Sequence, residues 1–174
     1  MDRDGVINRV IIRNGKPYSP RQLRDFKLTE GIKKALQELK RAGFLLIVVT
    51  NQPDVARGFL DKTTLDKFHD LIHRELPVDD IFVCLHDDSD RCGCRKPKPG
   101  MLLAAARKWD IDLKNSFLIG ATWQDREAAR AAGCKTILLD AIYNQNLKKT
   151  QRVKGLGEAL KIILKSKGKK NGIH

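Results

Sequence analysis

The chain has 174 residues, 41% of them hydrophobic and 32% charged, a balance that suits one globular domain with an ordinary core. Its apolar runs, such as Phe44–Val49, are too short to span a bilayer, and the charged N-terminus lacks the apolar stretch of a secretory signal, so a cytoplasmic protein is expected. The net charge of +13 is concentrated late: residues 148–174 carry nine Lys or Arg against one Glu, with no aromatic residues among them to stack on bases, which predicts a solvated basic tail over 166–174 and no nucleic-acid partner.

In chain order, the sequence opens on Asp2-Arg3-Asp4-Gly5. Side chains of an extended backbone alternate, so the two carboxylates fall on one side. One can attack a phosphorus while the other handles the leaving group's proton. No apolar strand precedes the pair. Residues 8–24 read as a loop whose Arg13, Lys16, Tyr18 and Arg21 would help choose a substrate. Within 30–42, Ile32, Ala35, Leu36 and Leu39 share one helical face, and Gly43 supplies the stop. The run at 44–49 predicts a parallel strand buried on both faces and ending on Thr50-Asn51-Gln52. A second helix carries Leu65, Phe68, Leu71 and Ile72, with Thr63 or Thr64 as its cap. His69 and His73 lie one turn apart on it with no third ligand in view, and read as a surface face.

Strands follow at 80–85, 116–120 and 135–140, and helices at 100–108, 123–132 and 156–165. This alternation predicts a single α/β domain over residues 1–165, a parallel sheet between two layers of helices. Open parallel sheets bind ligands beyond the carboxyl ends of their strands, where Thr50 and Gly120 both fall. Cys84, His86, Cys92 and Cys94 offer three thiolates and an imidazole, the donor set of a closed tetrahedral zinc site. A chance trio of cysteines beside a loop histidine is the competing reading. Cys134 stands apart as a core thiol.

Taken together, DRDGVIN, TNQPDVARG, the Cys/His cluster, CRKPKPGML and GATWQD resemble, in this order, the motifs of the haloacid-dehalogenase superfamily of phosphotransferases over residues 2–140. Within it the chain is similar to the branch of heptose-bisphosphate and histidinol-phosphate phosphatases. The resemblance implies a three-layer, Rossmann-like fold with a small zinc-binding loop and no large cap domain. It implies a magnesium-dependent phosphomonoesterase of a small phosphorylated metabolite, with D-glycero-D-manno-heptose 1,7-bisphosphate first among the substrates and histidinol phosphate after it. Asp2 would attack phosphorus and form an aspartyl-phosphate, and Asp4 would act as acid and then base. Thr50, Asn51 and Gln52 would bind phosphoryl oxygens, Lys96 would neutralise their charge, and Arg95 would reach the rest of the substrate. Asp2, Asp4 and Asp125 would hold Mg2+, and Cys84, His86, Cys92 and Cys94 would hold Zn2+. A monomer without membrane contact is expected.

Two features depart from the family pattern. Ala121 stands where a second magnesium carboxylate belongs, so weak metal binding and slow turnover are expected. The first strand, which should deliver Asp2 to the sheet edge, is missing. A relative that binds a phosphorylated ligand without turnover, and a phosphatase of nucleic-acid ends, are the competing functional readings.

Overall fold

The computed structural model of the chain describes residues 1–147 and 151–168. Helix α1 (Ile32–Arg41) buries Ile32, Ala35, Leu36 and Leu39 as one stripe, and the chain leaves it through Gly43 at φ +80°. Helix α2 (Lys62–Glu75) buries Leu65, Phe68 and Ile72. Its cap is Asp61 rather than a threonine: the Asp61 carboxylate accepts the Thr64 N–H at 2.8 Å, and an anion there also faces the positive end of the helix. Helices α3 (Gly100–Trp109), α4 (Trp123–Ala132) and α5 (Leu156–Gly168) follow. The last helix runs through residues 166–168, where the tail was expected to begin; residues 169–174 lie outside the described residues.

The residues read as a loop near the start contain a hairpin, β1 (Ile11–Arg13) with β2 (Lys16–Tyr18), turning through Asn14 and Gly15, both at positive φ. The main strands are β3 (Ile47–Asn51), β4 (Asp80–Cys84), β5 (Phe117–Gly120), β6 (Lys135–Leu139) and the short β7 (Arg152–Val153). All pair in parallel, as two groups, β3 with β4 and β5-β6-β7. Strand β3 begins later than its apolar run because the Leu46 N–H is taken by the Asp79 carboxylate at 2.7 Å, which Lys40 holds in turn.

Met1 and Asp2 lie between the two groups. The Met1 amine donates to the Ile47 carbonyl at 2.7 Å, the Val49 N–H donates to the Met1 carbonyl at 2.8 Å, and the Asp2 N–H donates to the Ile119 carbonyl at 2.8 Å. Met1 and Asp2 thus form one rung between the two groups, and that rung sets Asp2 at the carboxyl edge of the sheet.

Alternate strand residues face opposite layers. Ile119 joins the larger core cluster with Leu36, Phe68 and Leu160, and its neighbour Leu118 joins the smaller one with Met101 and Ala129. Among the described residues no helix is long and apolar enough to cross a membrane.

The larger core also encloses a charge. Arg3 has no exposed surface, and its guanidinium carbon lies 5.7 and 5.5 Å from the centroids of Phe26 and Phe68, two rings that stack at 4.6 Å. Truncating Phe68 removes core volume and uncovers that charge. Phe68→Ala should therefore lower the free energy of unfolding by about 3–5 kcal/mol in urea titrations, whereas Lys62→Ala, at the exposed Lys62–Asp66 pair, should leave the midpoint nearly unchanged.

Candidate active site

Three buried groups meet where the strands end. Asp2 follows the single central rung, Asp125 lies in the first turn of α4, and Lys96 comes from the loop after the cysteines. The Lys96 ammonium sits 2.8 Å from Asp2 Oδ1 and 2.6 Å from Asp125 Oδ1, with 4% of the residue exposed. Burial works against its charge, but the two carboxylates outweigh that and raise its pKa. Asp125 is held below the usual carboxylate range: burial opposes this, and Lys96, Thr122 and the Ala121 N–H overcome it. Asp2 is pushed up to about 7, by burial first and by the neighbouring Asp125 charge second, against the pull of Lys96. One ammonium thus faces two carboxylates, and the trio carries a net negative charge only when Asp2 is ionised.

Local backbone explains the placement. Thr122 caps α4: its hydroxyl and N–H, with the Ala121 N–H, all donate to Asp125 Oδ2 at 2.7–3.1 Å. A Cβ at Gly120 would lie 2.4 Å from Asp125 Cβ, so only glycine lets this carboxylate fold back onto the end of β5. Both Asp125 oxygens are therefore engaged by protein donors. Asp125, expected to reach Mg2+ directly or through water, is the counter-ion of Lys96 here.

Asp4 has a different environment. Arg3 Nη2 donates to both of its oxygens at 2.9–3.0 Å, and Asn8 Nδ2, Ser19 Oγ and Gln52 Nε2 donate at 2.8, 2.9 and 2.7 Å. Burial alone would raise its pKa, but Arg3 and these hydrogen bonds hold it below the ordinary value. Gln52, expected to touch substrate, is fully buried and braces Asp4, Arg3 and the Thr50 hydroxyl. The Asn51 side chain donates to the Lys96 carbonyl at 2.9 Å and accepts the Lys96 N–H at 3.0 Å, fixing the lysine's loop to β3, while the residue also lines the pocket.

The carboxylates open into a pocket of about 240 Å3 whose walls include Ser19, Asn51, Arg95, Lys96, Gln124 and Tyr143. Arg95 reaches it while bonded to Asp88 at 2.7 Å. Arg13 and Arg21 are not among its walls. Arg21 bonds Asp54 at 2.7 Å and lies over the Phe59 ring, and Arg13 lies over Tyr18. Tyr143 was not anticipated. Asn144 donates to the Ala121 and Leu139 carbonyls, which docks the loop after β6 against the site. Gly5, at φ +83°, leaves room there, since a Cβ would meet the Tyr143 hydroxyl at 2.7 Å and Ala121 Cβ at 3.2 Å. Burial, then the nearby carboxylates, push the tyrosine's pKa up to about 12. His69, expected on a surface face, turns its Nε2 into the protein, where burial and Arg3 lower its pKa to about 4.

Cys84 ends β4, and His86, Cys92 and Cys94 follow in the next loop. Their donor atoms lie within 4.8 Å of one another, with Cys84–Cys92, Cys94–Cys92 and Cys94–His86 separations of 3.7, 3.5 and 3.3 Å. Zinc–sulfur bonds of ~2.3 Å give tetrahedral edges of about 3.8 Å, so the cluster has the size of a zinc site.

The folded-state pKa of Asp2, about 7, lies above the ordinary carboxylate value of 3.8. Its contribution to stability is therefore complete below pH 3.8 and is lost as the pH rises through about 7. In chelator-treated protein, Asp2→Asn should match the unaltered chain near pH 4 and exceed it above pH 7 by up to about 4 kcal/mol, read from urea unfolding at the two pH values.

The model of the haloacid dehalogenase-like hydrolase family matches residues 6–133. The D-glycero-beta-D-manno-heptose-1,7-bisphosphate 7-phosphatase of Bordetella bronchiseptica is 36% identical over 167 residues, covering 93% of this chain and 89% of that protein. The Escherichia coli K12 protein of the same name is 36% identical over 151 residues, covering 80% of this chain and 76% of its own length. Among solved structures, D,D-heptose 1,7-bisphosphate phosphatase from B. bronchiseptica, complexed with magnesium and phosphate, superposes with a TM-score of 0.83 at 31% identity, over 94% of this chain and 96% of that one. A putative HAD-like phosphatase from Mesorhizobium loti superposes at 0.77 with 26% identity, over 95% of this chain and 84% of that one. With the buried carboxylate–lysine trio at the strand ends and a family match over most of its length, the chain belongs to the haloacid dehalogenase-like hydrolases.

Proposed function

We propose that the chain is a magnesium-dependent phosphatase of a small sugar bisphosphate, D-glycero-D-manno-heptose 1,7-bisphosphate, working through an aspartyl-phosphate. The observation that carries this reading is the Lys96 ammonium 2.8 Å from Asp2 Oδ1 at the floor of a pocket of about 240 Å3. Phosphoryl transfer asks chiefly for positioning and charge neutralisation, and this floor supplies both. Asp2 attacks phosphorus from a backbone fixed on both sides. Lys96, oriented by Asp125 and by the two Asn51 bonds, meets the charge on the phosphoryl oxygens. The leaving sugar oxygen needs a proton, and Asp4 is the group placed to carry it. Asp4 is ionised in the free protein, but an arriving phosphate dianion raises a neighbouring carboxylate's affinity for a proton. The same carboxylate then takes a proton from the water that cleaves the aspartyl-phosphate.

The donor set suits a hard cation. With Asp2 ionised, the trio is short of one positive charge, and no hydrogen bond among the described residues reaches Asp2 Oδ2. Asp2 and the backbone carbonyl of Asp4 would hold a Mg2+ that keeps several waters, and the ion would add charge neutralisation at the phosphoryl group. Ala121 supplies no second carboxylate, so affinity is reduced. The same feature favours a second reading, a relative that binds the phosphorylated ligand without turnover. Zinc at Cys84, His86, Cys92 and Cys94 would hold the loop that presents Arg95 and Lys96.

Phosphate release from the heptose bisphosphate, with histidinol phosphate in parallel, across a magnesium series separates these readings. Turnover is expected to saturate only at high magnesium, and Ala121→Asp should lower the required concentration about tenfold or more. Asp2→Asn should reduce release to background. Binding of the bisphosphate without release in either the unaltered chain or Ala121→Asp would establish the non-catalytic reading. Elemental analysis should find one zinc per chain, lost in Cys92→Ser together with a lower kcat/KM.

A further inference from the structure

One wall of the pocket comes from the turn after β6. Asn144 is buried there and ties the turn to the sheet end: its side chain donates to the Leu139 and Ala121 carbonyls at 2.7 and 3.1 Å and accepts the Ala141 N–H at 3.0 Å. Arg152 Nη1 donates to the Asn144 carbonyl at 3.1 Å, and Gln145 Nε2 donates to Asp140 and to the Ala141 carbonyl, both at 3.0 Å. Within this braced turn Ile142 is 68% exposed, whereas Tyr143 is half-buried and lines the pocket. A side chain carried on a fixed backbone loses less conformational freedom when it makes a contact.

The Tyr143 hydroxyl lies close to the carboxylates. It and Ala121 Cβ stand 2.7 and 3.2 Å from the point that a Cβ on Gly5 would occupy, so the phenol sits beside the backbone that carries Asp4. The charges of Asp2, Asp125 and Asp4 all act on it. Among the described residues, however, no hydrogen bond engages this hydroxyl. Other donors of the pocket wall already hold protein partners: Ser19 with Asp4, Asn51 with the Lys96 backbone, Arg95 with Asp88, and Lys96 with two carboxylates. A phenol carries one O–H donor and is neutral at ordinary pH. A donor set near three carboxylates and bonded to none of them fits an oxygen-rich anion arriving over Asp2.

We propose that Tyr143 is a substrate-binding residue, whose hydroxyl donates a hydrogen bond to a phosphoryl oxygen of the ester held over Asp2. The assignment rests on the reading of this pocket as a phosphate-ester site, and it names the residue that fixes the phosphoryl group on the side of Gly5 and Ala121. Two small residues make room for the contact. Gly5, at φ +83°, has no Cβ to displace the phenol, and the short side chain of Ala121 borders the same space. Lys96 supplies charge to the phosphoryl oxygens, while Tyr143 supplies direction, because an O–H on a fixed ring favours a narrow range of approach. Being neutral, the phenol adds no repulsion toward a cation at Asp2.

The test is isothermal titration of the full chain with inorganic phosphate at saturating magnesium, beside Tyr143→Phe, which keeps the ring and loses only the hydroxyl. Loss of a hydrogen bond to a charged oxygen should weaken phosphate about tenfold or more in Tyr143→Phe. Magnesium affinity, titrated without phosphate, should stay nearly unchanged. The contact itself is read in the unaltered chain by carbon NMR at tyrosine Cζ. The chain has two tyrosines, and the signal missing from Tyr143→Phe is that of Tyr143. This signal should move when phosphate is added, a response that a merely structural role does not give. Equal phosphate affinity in the two chains, or a Tyr143 signal that bound phosphate leaves in place, overturns the assignment while the phosphate-ester reading stands. Phosphate binding by neither chain overturns both together.

Discussion

Everything at the site depends on one ammonium shared by two carboxylates. Lys96 is buried with Asp2 and Asp125 within 2.8 Å, and neither carboxylate would remain ionised at that depth without it. The two carboxylates differ: Asp125 is held by Thr122, the Ala121 N–H and Lys96, while Asp2 Oδ2 accepts no hydrogen bond among the described residues. The elements around the trio exist to deliver it. The capping box of α4 and the bare Cα of Gly120 position Asp125, Asn51 fixes Lys96 from β3, and the single Met1–Asp2 rung positions the nucleophile.

A chain of restraints reaches outward from there. The cysteine and histidine cluster sits between the end of β4 and Arg95, so the geometry of the loop carrying Lys96 is set at one end by the cluster and at the other by Asn51. A ligand lost from the cluster acts on the site through distance, not through charge. The same economy appears at Tyr143, which Asn144 swings across the sheet end into space left by Ala121 and Gly5.

Much of this was legible from the sequence where local rules decide. Helical stripes such as Ile32, Ala35, Leu36 and Leu39 read directly, and the D-x-D pair, the Cys/His spacing and the lysine after Cys94 mark chemistry without reference to tertiary structure. The hairpin at Asn14-Gly15 was also legible, since that dipeptide is a strong turn signal, but the flanking strands are short and carry too many basic residues to look like strands. What stayed hidden depends on three-dimensional neighbours. Nothing local marks Arg3, between two aspartates, as a core residue, and Phe26 and Phe68, which enclose it, arrive from distant elements. The family resemblance marks Asn51 and Gln52 as phosphate ligands, and the side-chain partners they find 45 and 48 residues away could not be read from the sequence. Asp125 read as a group that reaches Mg2+ directly or through water, and its bonds to Lys96 and to its own helix cap depend on neighbours that the sequence does not display.

The buried guanidinium has a consequence for how this motif is interpreted across relatives. The fully enclosed guanidinium of Arg3 is tolerable only while Asp4 neutralises it. Selection for folding alone would then preserve the second aspartate, even in a lineage that had abandoned hydrolysis. Persistence of the D-R-D triplet is consequently a weak witness to activity, and an inactive Asp4 variant would reveal as much about an unbalanced interior as about proton transfer.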